Sequence, residues 1–138
     1  LTLRKALECI DKGIAKAREL GFNVAIAVVD EAGHLVACHR MDEAFWVTPE
    51  IARAKANASA AFRATTQELE ERFTKRPLFA GNVAGLNDYQ FVFGKGAVPI
   101  VEDGRIVGAV GVSGAVPADN DHTIADAAAG HPAIPKSH

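Results

Sequence analysis

The sequence has few cysteines, no long apolar run and no excess of basic residues, and each of these absences narrows its range of functions. Only 2 of its 138 residues are cysteines, which argues against a small fold held together by disulfides. The longest apolar run, residues 24–29, is six residues long, whereas a membrane-spanning helix needs roughly 20. Fifteen Lys and Arg against 17 Asp and Glu give a net charge of −2, which excludes a strongly basic binder of nucleic acid or anionic membranes.

The beginning of the chain also lacks the basic and apolar segments of a secretion signal. Cys9 and Cys38 fall in predicted regular elements, so we expect two buried, reduced thiols and a cytoplasmic protein. The chain starts at Leu1, and this expectation therefore allows for a leader that has been trimmed. The length predicts one domain over residues 1–138 that buries about two-thirds of its unfolded surface.

The first half of the chain alternates between helical and extended patterns. A helix of about five turns is expected between a capping Thr2 and a terminating Gly21. Two strands over residues 24–29 and 34–40 are then joined by a tight turn, which predicts an antiparallel hairpin. Thr48, followed by a proline and an acidic residue, predicts the start of an alanine-rich helix with the hydroxyl as its cap.

The second half of the chain begins with a predicted short helix capped by Thr65, followed by a surface loop over residues 77–89. Three strands are predicted next, over residues 90–93, 98–101 and 105–112. A final helix is predicted over residues 117–129, with Asp119 as its cap. The tail from residue 130 is expected to be extended. Short connections make neighbouring strands antiparallel, so the chain predicts an α+β fold with a five-stranded sheet rather than a Rossmann unit.

The glycine-rich segments do not match a known phosphate-binding loop. Gly94-Lys95-Gly96 and the segment 108–114 lack both the P-loop spacing and the dinucleotide-binding spacing. Ser113 likewise lacks the spacing of a hydrolase nucleophile elbow. We therefore interpret these glycines as backbone bulges that line a ligand pocket.

Two cations are candidates for binding an acidic ligand. Arg40, at the end of the second strand, either clamps a carboxylate or forms an ordinary surface pair with Asp42. Lys55 interrupts an otherwise small and apolar helix surface. It either extends along the helix to reach solvent or points into a cleft.

Metal-binding patterns are weak. His34 and His39 are five residues apart on one predicted strand, so they face opposite sides. The polar tract 119–122 resembles a metal-binding segment, but a helix cap explains it more simply. Glu68 and Glu71 share a helix face and either bind a metal weakly or are simply solvated.

Taken together, several segments resemble the GlcG/HbpS-like family, which is also met as the C-terminal domain of PduO-type proteins and is often called a haem-degrading domain. In family order these segments are 28–35 (VVDEAGHL), 40–42 (RMD), 51–56 (IARAKA), 96–100 (GAVPI) and 108–114 (GAVGVSG), followed by Asp121. The resemblance spans residues 1 to about 129, and it is the ordered set rather than any single piece that carries it.

The resemblance implies a profilin-like α+β fold, with helices flanking a central five-stranded antiparallel sheet, and homo-oligomers with pockets near subunit interfaces. It implies a small-ligand-binding protein, with haem as a ligand of some members. By matching position, the pocket candidates are Asp30, Arg40, Asp42, Lys55, Ser113 and Asp121. Lys95 stands where the family often has glycine, which favours a smaller anionic ligand next to Gly96.

Two functions follow as hypotheses. The first is binding of haem or a related planar acidic ligand, with His39 or His122 as the iron ligand and Arg40 and Lys55 on the propionates. The second is an enzyme of lyase or isomerase type acting on a small carboxylate, with Asp42 or Asp121 as the catalytic base. A domain with a filled pocket and a purely structural role is the third alternative. The expected partners are a small molecule and further copies of the chain, with neither nucleic acid nor membrane.

Overall fold

The computed structural model describes residues 1–86 and 90–135, and within these ranges it contains five helices and four strands. In chain order they are α1 (Leu3–Leu20), β1 (Ala25–Asp30), β2 (Leu35–Arg40), α2 (Thr48–Phe62), α3 (Thr66–Thr74), α4 (Pro77–Ala84), β3 (Ala97–Glu102), β4 (Arg105–Ser113) and α5 (Asp119–Ala129). No helix in this part of the chain is long and apolar enough to span a membrane.

The four strands form one antiparallel sheet in the order β2-β1-β4-β3. One face carries the larger branched side chains, among them Ile26 and Val110, and packs against α1 and α5. The other face carries small side chains such as Ala27 and Ala109 and packs against the alanines of α2. The fold is therefore α+β as expected, with helices on both faces of the sheet.

The expected fifth strand is absent from the described residues. The segment Gln90–Phe93, which was predicted to form it, has an irregular backbone there. Phe91 and Phe93 instead pack their rings against Phe62, with centroids 6.0 and 5.8 Å away. The apolar residues of this segment thus belong to an aromatic cluster rather than to a strand. The Val92 N–H donates to the Ala54 carbonyl of α2 at 3.3 Å, which holds the segment against the helix.

The prediction of one long surface loop over residues 77–89 is also wrong for its first part. Residues Pro77–Ala84 form α4, with the proline in the first turn, where a missing N–H costs nothing. The Phe79 ring packs against Phe73 at 5.6 Å and lies under the Arg76 guanidinium at 4.1 Å. These contacts favour the helix. Residues 87–89 lie outside the described part of the chain.

Three of the predicted helix ends are confirmed. Thr2 accepts a hydrogen bond from the Lys5 N–H, Gly21 ends α1 with a φ of 83°, and Thr65 accepts from the Glu68 N–H. Each of these pairings satisfies a backbone group that the helix leaves unpaired.

Two predicted caps are wrong. Val47 is the cap residue of α2, and the Thr48 hydroxyl donates to the Phe45 carbonyl at 2.7 Å instead. Ala118 is the cap residue of α5, which therefore begins without a side-chain cap. The Asp119 carboxylate forms an ion pair with Lys95 instead, as described below.

Both cysteines are free thiols, as expected. Cys9, on α1, is buried as expected, whereas Cys38, on β2, is only half-buried, so the expectation of a second buried thiol is wrong. Burial raises the pKa of both thiols above their usual value. Both therefore favour the neutral, unreactive form at neutral pH.

Candidate functional site

An open cleft of about 620 Å³ lies where α1 ends and β2 ends. Its lining residues are Ile14, Arg18, Gly21, Phe22, Asn23, His39, Arg40, Met41 and Asp42. The Met41 N–H donates to the Val24 carbonyl at 2.9 Å, and the Phe22 N–H donates to the Ala17 carbonyl at 2.9 Å. These two bonds hold the chain segments on either side of the cleft in place.

The cleft combines cationic and apolar groups. Arg18 and Arg40 supply guanidinium groups, and His39 supplies an imidazole. The Arg40 Nη1 donates to the Ala44 carbonyl at 3.3 Å, which orients a side chain that has five N–H donors. Phe22 and Met41 add apolar surface. Such a mixture suits a ligand with a flat apolar body and carboxylates.

Three of the residues singled out from the sequence, namely His39, Arg40 and Asp42, therefore line one cleft. The second arginine of the cleft, Arg18, was missed. It lies in the last turn of α1, one turn after Ile14 and shortly before Gly21. That spacing is visible in the sequence, but Arg18 can be assigned to the cleft only once the position of α1 relative to β2 is known.

Lys55 and Asp121 form a buried ion pair at the end of β4. The Lys55 Nζ lies 3.2 Å from the Asp121 Oδ2 and also donates to the Val112 carbonyl at 3.0 Å. The Asp121 Oδ1 accepts a hydrogen bond from the Ala115 N–H at 2.9 Å. Lys55 is 6% exposed and Asp121 is 3% exposed. The pair thus ties α2, the end of β4 and α5 together.

Burial raises the pKa of the Asp121 carboxyl, while the Lys55 ammonium and the Ala115 N–H act in the opposite direction. Burial is the larger effect, so the carboxylate depends on these two partners to keep its charge. Lys55 therefore neither follows the helix to solvent nor points into the open cleft. Arg40 and Lys55 are expected from the sequence to bind the carboxylates of one ligand, but Lys55 does not line the cleft that contains Arg40 and pairs with Asp121 instead.

Gly96 and Ser113 adjoin this buried pair and the end of the sheet. Gly96 has a φ of 132°, and a Cβ there would lie 2.9 Å from the Lys55 Nζ. The glycine therefore makes room for the ion pair. Ser113, which is 6% exposed, lies opposite Ala25 in the sheet, and Ala25 lies opposite Arg40.

Lys95 is engaged at the surface. Its Nζ lies 2.6 Å from the Asp119 Oδ1 and 4.0 Å from the Glu70 Oε1. The hydrogen bond to Asp119 raises the pKa of Lys95 above its usual value. This cation is therefore matched by carboxylates of α3 and α5.

Asp30 organises the turn between β1 and β2. Its Oδ1 accepts from the Ala32 N–H at 3.0 Å and from the His34 N–H at 2.9 Å. Partial burial would raise the pKa of this carboxyl, but the backbone N–H groups of His34 and Ala32 outweigh it and the pKa is lowered. These bonds give Asp30 a structural role at the turn.

His122 lies half-buried on α5, and its Nδ1 is buried without a hydrogen-bond partner among the described residues. His39 lies at the open cleft instead. Across residues 1–86 and 90–135, no three His, Cys, Asp or Glu side chains come together as a metal site. A metal at either histidine would thus need ligands that come with the metal or from another chain.

Comparison with known proteins places this architecture in a family. The family model described as "Haem degrading protein HbpS-like" matches residues 1–130. Protein GlcG of Escherichia coli K12 is 36% identical over 113 residues, which are 82% of this chain and 81% of GlcG.

Two solved structures are similar over almost the whole chain. A double mutant of HbpS from Streptomyces reticuli matches with a TM-score of 0.83 and 29% identity over 94% of this chain and 84% of HbpS. A PduOC–haem complex matches with a TM-score of 0.83 and 25% identity over 97% of this chain and 96% of PduOC. The fold, the sequence motifs and the match over residues 1–130 agree, and the chain therefore belongs to the HbpS-like family.

Proposed function

We propose that this protein binds haem, or a related planar acidic ligand, in the open cleft between the ends of α1 and β2. The observation that carries the proposal is the meeting of His39, Arg18 and Arg40 around one cleft of about 620 Å³. Ligand clefts for small molecules usually measure about 300–1,000 Å³. The similar PduOC structure is a haem complex, which supports this choice of ligand.

The residues of the cleft fit the three parts of a haem. Phe22 and Met41 offer apolar surface for the macrocycle. Arg18 and Arg40 are placed to pair with the propionate carboxylates. His39 offers a nitrogen ligand for the iron. A bound haem would supply a redox-active iron, while these residues hold and orient it.

We also infer that a second copy of the chain covers this cleft. Phe45 and Trp46 follow Asp42 in sequence and are 79% and 78% exposed. Large aromatic side chains exposed side by side are typical of protein–protein contacts. The cleft is open to solvent, so a neighbouring copy at this loop would enclose a ligand that one chain holds only on one side.

The alternative, an enzyme acting on a small carboxylate, retains less support. Asp42 shares the cleft with Arg40 and remains a candidate base. Asp121 does not line that cleft, and both of its oxygens accept hydrogen bonds at the buried pair. Turnover of a carboxylate that is abolished in Asp42→Asn and retained in His39→Ala would favour the enzyme over the haem protein.

Removal of the imidazole at position 39 is expected to weaken haem binding at least about tenfold, because the iron loses its protein ligand. The measurement is a haemin titration followed at the Soret band. His34→Ala is the matched control, because His34 is an exposed histidine on the same hairpin and the bond from its backbone N–H to Asp30 does not depend on its side chain. Equal affinity and equal Soret spectra for His39→Ala and the wild type would contradict the assignment.

The chain is expected to form homo-oligomers through the loop that carries Phe45 and Trp46. Multi-angle light scattering at micromolar concentration should report more than one copy per particle. Replacing both aromatic residues by serine should shift the mass towards the monomer, because it removes the apolar contact. Leu78→Ser on α4, which is 79% exposed, is the control and should leave the mass unchanged. A monomeric wild type would contradict this part of the proposal.

A further inference from the structure

A second, smaller cavity of about 190 Å³ lies at the opposite end of the β1–β2 hairpin from the haem cleft. Its lining residues are Glu31, Ala32, Gly33, Asn57, Ala61 and Phe91. The β1 strand of six residues separates the two ends of the hairpin, a distance of about 20 Å at the usual rise per residue. The site is therefore independent of the haem proposal.

Asn57 is the unusual residue of this cavity. It is 8% exposed, and its side-chain Oδ1 is buried without a hydrogen-bond donor among the residues that the structure describes. Its Nδ2 donates to the Gln90 carbonyl at 3.5 Å. Exchanging the two amide atoms would place the oxygen against that carbonyl, so the observed orientation is the favourable one.

A buried acceptor without a donor is rare in native proteins, because it has lost its water without gaining a replacement. The Asn57 side chain lines the cavity, and a donor group that enters the cavity would satisfy it. The oxygen lies on the side of Asn57 that faces the turn, since a Cβ built at Gly33, another lining residue, would be 3.5 Å from it.

The other walls define the rest of the ligand. Ala32, Ala61 and Phe91 present apolar surface, and Glu31 is the ionisable residue of the lining. A carboxylate, an amide oxygen and an aromatic ring all favour a cation. An engineered cavity of about 150 Å³ is large enough for benzene, so this cavity can take a ring of that size with one short substituent.

We propose that the cavity between the β1–β2 turn and α2 binds a small organic amine, with the ammonium donating to the Asn57 Oδ1 near the Glu31 carboxylate and the apolar body lying against Ala61 and Phe91.

The test uses the full chain in phosphate buffer and three probes of matched shape: benzylamine, benzyl alcohol and toluene. Benzylamine carries the cationic donor, benzyl alcohol a neutral donor, and toluene neither. Binding is followed by ¹H–¹⁵N chemical-shift changes as each probe is titrated. We expect saturable shifts at the amides of Ala32, Gly33 and Ala61, with benzylamine binding about threefold tighter than benzyl alcohol and toluene weakest.

Two variants test the individual contacts. Asn57→Leu removes the acceptor and is expected to weaken benzylamine about tenfold. Glu31→Gln, at an exposed residue where folding is not at stake, is expected to reduce the preference for benzylamine over benzyl alcohol to nearly one. Asn82→Leu on α4 and Glu8→Gln on α1 are exposed controls that should change neither value.

Ala61→Leu keeps the experiment informative if Asn57→Leu does not fold. Ala61 is exposed on α2, and the larger side chain should fill the cavity and abolish the saturable shifts. Equal affinity for benzylamine and benzyl alcohol in the wild type would overturn the proposal. Shifts confined to the haem cleft, or benzylamine binding that survives Ala61→Leu, would overturn it as well.

Discussion

Asp121→Asn is expected to lower the free energy of unfolding by about 3–5 kcal/mol, the usual cost of leaving a buried charge without its partner. The Lys55 Nζ is 3.2 Å from the Asp121 Oδ2, and an amide nitrogen at that position would face the ammonium. The change keeps the shape of the side chain, so the loss reports the charge. Urea unfolding at pH 7 measures it.

Lys55→Met completes a double-mutant cycle. The double variant is expected to be more stable than the sum of the two single changes predicts, by about 2 kcal/mol, because no buried charge remains unpaired. Glu19→Gln is the control. Glu19 pairs with Lys16 at 3.4 Å at the surface, and this change should cost less than about 1 kcal/mol. A cycle in which the two changes simply add would show that the pair contributes no interaction energy.

Lys55→Met alone should also make stability depend on pH in a defined direction. Burial already raises the pKa of Asp121, and loss of the ammonium removes the main effect opposing it. A carboxyl whose folded pKa exceeds its unfolded pKa binds its proton more tightly in the folded state. The variant should therefore be most stable relative to the wild type at acid pH and lose that stability as the pH rises through the folded pKa.

The ion pair between Lys55 and Asp121 could not be predicted from the sequence alone. Lys55 stood out because it interrupts a small apolar helix surface, but its partner lies 66 residues later. The contact exists because Lys55 on α2 and Asp121 on α5, which pack on opposite faces of the sheet, both reach the end of β4, where Gly96 leaves the necessary room. No local spacing encodes a contact of that kind.

The open cleft between the ends of α1 and β2 was partly predictable from the sequence. His39, Arg40 and Asp42 are neighbours in sequence, so their common location needed only the end of one strand. Arg18 could be assigned to the same cleft only after α1 was placed against the sheet. The α+β architecture and most element positions likewise followed from apolar periodicity, because each period matches one backbone geometry.

The fifth strand shows how the same pattern can mislead. Residues 91–93 form a short apolar run after Gln90, as a strand would, yet Phe91 and Phe93 pack against Phe62 in an aromatic cluster. Short apolar runs fit both structures, and tertiary contacts decide between them. The helix α4 was missed for a related reason, since its mixed and glycine-containing sequence shows no clear period.

The close packing of α2 on the sheet leads to the second large effect. Gly111 lies in β4 opposite Ala27 and Ala97. A Cβ at this position would lie 2.1 Å from the Ala52 carbonyl oxygen and 2.9 Å from the Ala56 nitrogen, both in the backbone of α2. We expect Gly111→Ala to push the helix off the sheet and to cost about 3 kcal/mol or more.

Thermal unfolding should reveal this loss as a fall in Tm of about 10 °C for a chain of this size. Gly81→Ala in α4 is the matched control, because nothing lies within 4 Å of its added methyl group. It should be neutral or stabilising by up to about 1 kcal/mol, since alanine is the better helix former. A Gly111→Ala variant as stable as the wild type would contradict the close approach of α2 to β4.

A third variant separates backbone from side-chain crowding. If the obstruction at position 111 were a side chain, shortening the neighbour by Ala56→Gly would restore the stability of Gly111→Ala. The atoms nearest to the added methyl group belong to the α2 backbone, so Ala56→Gly should not restore it and should add its own helix-propensity cost of about 1 kcal/mol. The glycine at position 111 and the alanines of α2 then act together, because α2 can bring Lys55 to Asp121 only when the helix lies this close to the sheet.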